Sequence, residues 1–164
     1  MRIRLVAALT IAAAAVVGAQ QTSAPSQHHA EVNKRGAHYM GFDQEKTAHH
    51  FYLYDDGGAI DVSVKTATDQ TNLAAIRSHL PHIAMMFAQG HFDMPMLVHG
   101  TQVPGSADLA RLKDRLTYKF VETPLGGRVN VVTSDFAALA ALHEFLRFQI
   151  ADHQTGDTAA IRKR

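Results

Sequence analysis

A glycine pair, an alternating apolar strand and a Leu-Ala-Ala helix start occur twice along this chain, and that repetition limits its fold more than any other feature. Gly57-Gly58 corresponds to Gly126-Gly127, Ile60-x-Val62 to Val129-x-Val131, and Leu73-Ala74-Ala75-Ile76 to Leu139-Ala140-Ala141-Leu142. A strand precedes each glycine pair, His49 to Tyr54 in the first copy and Leu116 to Val121 in the second. Each copy therefore reads as a ββα unit, spanning about 49–90 and 116–156, with the glycines as hairpin turns. One such unit cannot bury its own apolar face. Two can, as an α+β fold with a four-stranded antiparallel sheet and two long helices packed on one face.

Punctuation along the chain refines this. Asp69 or Thr71 starts the first long helix, whose apolar stripe is Leu73, Ile76, Leu80, Ile83, Ala84 and Phe87, and Gly90 stops it. Pro81 within it predicts a kink or two abutting helices. Ser134 or Asp135 starts the second, which runs to about His153 and ends by Gly156. Between the units, His91 to Val103 reads as an irregular loop and Ser106 to Asp114 as a short helix. Residues 20–36 are polar and lack an apolar period, so a flexible lead-in is expected there. Residues 37–157 form the single domain, and residues 158–164 a polar tail.

The first 19 residues read as a cleaved signal peptide. Arg2 and Arg4 form a positive start, Leu5 to Val17 an apolar stretch, and Val17-Gly18-Ala19 a small-residue cleavage site. Removing 19 of the 164 residues leaves 145 and moves the formal charge from +1 to −1. A periplasmic or secreted protein follows. No later segment is apolar enough to span a bilayer, and no basic patch suits nucleic acid. With 0 cysteines the chain has no disulfide, thiolate metal site or covalent haem attachment.

It has 11 histidines and 6 methionines instead, a set of donors that suits copper or zinc. They are densest from His79 to His99. Taking Leu80 as the centre of the buried stripe, His79, Met86 and His82 fall roughly 100°, 120° and 160° to one side of the helix. Such a row suits either metal binding or a polar flank. Met94-x-Met96 around Pro95 places two thioethers on one side of an extended loop, or else clamps the core. His143 and His153 lie within about 60° of Leu146 on the second helix. With His50 on the first strand and His99 in the loop, they make a convergent imidazole site conceivable. The lead-in pair His28-His29 suits weak metal capture or, more often, plain solvation. Gly-rich phosphate loops, HExxH and a nucleophile elbow are all missing from the sequence.

Several segments resemble a family of small exported bacterial proteins, often labelled aspartate carbamoyltransferase. They are Arg35-Gly36-Ala37-His38-Tyr39-Met40-Gly41-Phe42-Asp43, Lys46-Thr47-Ala48-His49-His50-Phe51 and Phe87 through Gly100, with Pro104-Gly105, Gly126-Gly127, Ala141-Leu142-His143 and Asp152-His153. The resemblance implies histidines at His50, His79, His99, His143 and His153, and no established activity. The label implies carbamoyl phosphate and aspartate as substrates. A carbamoyltransferase would be about twice as long and carry a Ser-Thr-Arg-Thr phosphate motif, which this chain lacks.

The leading expectation is an exported protein that binds copper or zinc in metal handling. Its ligands are drawn from His50, His79, His99, His143 and His153, with Met94 or Met96 for copper(I), and Asp43 or Asp152 orients a ring. The alternative is a non-enzymatic module whose exposed sheet face (His50, Tyr52, Tyr54) grips a protein or a small, haem-like ligand, and a homodimer through a sheet edge is left open. Third comes a metal-assisted hydrolase with His143 or Glu144 as base.

Overall fold

The computed structural model describes residues 24–164, so the expected signal peptide lies outside the described residues. Its elements are α1 (Ala24–Met40), β1 (Thr47–Tyr54), β2 (Gly57–Val64), α2 (Gln70–Ala88), α3 (Asp93–His99), α4 (Ser106–Arg111), β3 (Thr117–Thr123), β4 (Gly126–Val132) and α5 (Phe136–Asp152). The fold is α+β, with one antiparallel sheet in the order β1-β2-β4-β3. α2 packs over β3 and β4, and α5 over β1 and β2. None of the described helices is long and apolar enough to cross a membrane.

The two units meet through β2 and β4, where Ile60 pairs with Val129, its own counterpart in the repeat. A pseudo-twofold axis therefore runs through that pair. The glycine pairs turn out to be strand residues, because the turns themselves are Asp55-Asp56 and Pro124-Leu125. The glycines are needed for close approach instead. A Cβ on Gly126 would overlap the Val62 carbonyl, and one on Gly57 the Val131 carbonyl, so only glycine lets the hairpins join.

The long helices start where expected. Asp69 accepts from the Asn72 N–H, and Asp135 from those of Ala137 and Ala138. α2 continues as one helix through Pro81, so the two abutting helices are not formed. Leu53, Ile76, Leu109, Leu142 and Leu146 are fully buried in the shared core.

Two other expectations are overturned, and the polar tail proves to be docked. Residues 24–36, read as part of a flexible lead-in, belong to a helix that runs to Met40, packs on α3 and has Val32 fully buried. The Arg35 guanidinium donates to the carbonyls of Val98 at 2.7 Å and His99 at 3.1 Å, capping the α3 C-terminus with positive charge. Residues 93–99, read as irregular loop, form α3. Pro95 sits in its first turn, where its missing N–H costs nothing, and left-handed Gly100 closes it. The tail is seated as well. Tyr54 and Arg162 form a parallel bridge at the β1 edge, and Asp157 accepts from the Phe51 N–H.

Candidate functional site

Four imidazoles converge where β1, α2, α3 and the end of α5 meet. His49 points from β1 to the same side as Phe51 and Leu53, and its ring stacks on His153 with centroids 5.0 Å apart. His153 meets His99 edge-on at 4.9 Å. His79 reaches in from α2, and Phe42 lies 5.7 Å from it and 5.8 Å from His49. These rings border a cavity of about 70 Å³ whose other walls include Met40, Met94 and apolar side chains. His49 and His153 also wall a second, polar cavity of about 340 Å³, with His29, Asn33, His50 and Gln154 around it. The pair thus separates an inner apolar space from an outer polar one.

Burial sets the protonation of this group. It lowers the His49 pKa to about 4, helped by the neighbouring His79, His50 and His99, and lowers His79 to about 4 as well. His153 is held well below the usual range, again mainly by burial. These rings are neutral at pH 7, the form that ligates metal or accepts a proton. His49 Nε2 and His29 Nδ1 are buried with no hydrogen-bond partner.

Asp152 ties the group to the N-terminal helix. Burial pushes its carboxyl up, but hydrogen bonds from His99 and His28 outweigh that and hold it below its usual range. His99 Nδ1 donates to one carboxylate oxygen, and His28 Nε2 lies 2.7 Å from the other. The other ring nitrogen of His99 is 2.9 Å from the Gln149 side-chain amide. Both nitrogens of His99 are thus engaged, while His49 has one free.

Of the residues expected to ligate, His79, His99, His153 and Met94 border the inner cavity together. His50 sits at the outer cavity with its Nδ1 3.0 Å from Asp157. Met96 projects to solvent at 39% exposure, because a helix rather than an extended loop sends Met94 and Met96 in different directions. His143 lies apart. Its Nε2–H is shared between the carbonyls of Tyr54 (2.9 Å) and Gly57 (3.0 Å). That role repeats across the pseudo-twofold, where Arg77 of α2 donates to the equivalent carbonyls of Thr123 and Gly126. His143 is a hairpin clamp, and its Nε2 is not free to act as a base.

His49 was missed by sequence reasoning, and His29 was weighed but read as solvated. His49 was visible in principle, since two-residue alternation puts it on the face of Phe51 and Leu53. As the rings stand, no group of three or more His, Asp or Glu side chains among the described residues is arranged to hold an ion. The sheet face of Tyr52 and Tyr54 is covered by the chain itself. Arg128 and Arg162 lie over Tyr52 at 5.1 and 5.4 Å, and Arg164 over Tyr54 at 4.5 Å.

Comparison with known proteins gives no further guide, since no family model, curated protein or solved structure matches this chain.

Proposed function

We propose that this chain is an exported transition-metal-binding protein whose site is the half-buried imidazole group around His49 and His153. The observation that carries the reading is the unpartnered Nε2 of His49, buried among three more imidazoles. A buried lone pair without a partner costs about 1–3 kcal/mol, and a bound ion would offset that cost. Burial keeps the rings neutral, so an ion does not compete with protons at pH 7.

The pseudo-twofold supports a functional reading of the pair. Across it, His49 corresponds to Tyr118 and His153 to Phe87, and those two rings also meet, with centroids 6.0 Å apart. The fold asks only for flat rings at these positions, so imidazoles on one side need another reason. Completing a coordination sphere requires the His153 ring to turn out of its stack with His49, bringing in His29 from the outer side or His79 from the inner. Haem is a poor fit to an inner space of about 70 Å³, because pockets for ligands of even drug size start at about 300 Å³.

The test is metal analysis of the exported chain, purified without a tag and supplied with copper or zinc at micromolar levels. About one ion per chain is expected in the wild type, and a large loss in His49→Ala/His153→Ala. His50→Ala should keep its metal. No uptake by the wild type, or equal uptake by the double variant, would overturn the reading.

A further inference from the structure

The inner and outer cavities differ in chemistry in a way that names the ion. Met40, at the end of α1, and Met94, in α3, border the inner cavity together with His49, His79, His99 and His153, so two thioether side chains stand beside four imidazoles. The remaining walls are apolar apart from Gln149, and no carboxylate lines the space. A thioether is a soft, neutral donor that favours copper(I) over zinc(II).

Charge points the same way. The cost of moving an ion out of water into a low-dielectric space rises with the square of its charge, so a doubly charged ion without an anionic ligand is penalised about four times as heavily as a singly charged one. Copper(I) needs few ligands and carries a single charge. We infer that the inner cavity is a copper(I) site in which Met40 and Met94 join His49, with His79 as the nearest further imidazole.

This rests on the metal-binding reading and narrows it. The ligand set also differs from a loop chelate built on Met94 and Met96. Met40 lies more than 50 residues away in sequence and enters only because α1 docks on α3. Met96, on the same short helix but exposed, serves as an internal control.

Copper(I) affinity is measured anaerobically on the exported chain by competition with a chromophoric copper(I) chelator, and zinc(II) affinity with a zinc indicator. Met→Leu conserves volume, which keeps the fold within about 1.5 kcal/mol of the wild type. Met40→Leu/Met94→Leu should weaken copper(I) by about tenfold or more, equivalent to 1.4 kcal/mol, and leave zinc(II) within about twofold. Met96→Leu should change neither. X-ray absorption of the copper(I) form should show copper–sulfur scattering that the double variant loses. Unchanged copper(I) affinity in the double variant, or an equal loss of both metals, would overturn the assignment. Zinc(II) uptake without copper(I) uptake would defeat the copper(I) site alone, and uptake of neither would defeat the broader reading with it.

Discussion

His143 and His49 are both inward-facing histidines, and their surroundings give them opposite roles. His143 spends its Nε2–H on two hairpin carbonyls, as Arg77 does across the pseudo-twofold. His143→Ala leaves the carbonyls of Tyr54 and Gly57 without that donor, so urea unfolding should show a loss of about 2 kcal/mol. Metal content should stay at the wild-type level. His49 makes the site pH-sensitive. Its pKa is about 4 in the folded chain against 6.5 for a free ring, so the unfolded chain binds more protons between those values. Stability is then fully present above about pH 6.5 and falls as pH drops towards 4, by about 3 kcal/mol for this ring. His79 and His153 are depressed too and act in the same direction. Asp152 adds to the acid loss at lower pH, because its folded pKa is depressed and its contribution disappears as the carboxylate is protonated. Denaturant midpoints measured from about pH 7 to 4.5 should therefore fall, and His49→Phe should flatten part of the slope. A pH-independent midpoint would contradict buried neutral rings.

α1 is the element on which the site most depends and the one least visible in the sequence. It brings His28, His29 and Met40 to the imidazole group, and the Arg35 caps on α3 help hold it there. Arg35→Ala should loosen residues 24–40 selectively. Hydrogen exchange should speed up in α1 and the end of α3, at a cost of about 1–2 kcal/mol, while α2 and α5 stay protected. The sequence could not announce this helix, because Val32 is the one fully buried apolar side chain among its described residues and no stripe results. α3 was hidden differently, being too short for a period and carrying Pro95 near its start. The sheet and both long helices were legible because two-residue alternation, aspartate caps and repeated apolar stripes agreed. His79, His99 and His153 were legible as candidates, whereas the neighbours that separate them from His143 come only from tertiary packing.

Across the whole molecule, strand order was the part of the fold that local pattern left open. Each hairpin could be read alone, but which edges join depends on the close approach at Gly57 and Gly126. Gly126→Ala forces a methyl into the Val62 carbonyl and should cost about 3 kcal/mol or more in thermal or urea unfolding. A comparable change at solvent-facing Ala137 should cost far less.

The pseudo-twofold through Ile60 and Val129 also relates the two halves as two copies of one chain would be related. A half-length chain pairing with a second copy of itself would have the same sheet and two identical ring pairs, one in each half. In the present chain the two pairs differ, His49 with His153 on one side and Tyr118 with Phe87 on the other. On the metal-binding reading, grafting Tyr118→His with Phe87→His should raise the metal content of the purified chain above that of the wild type.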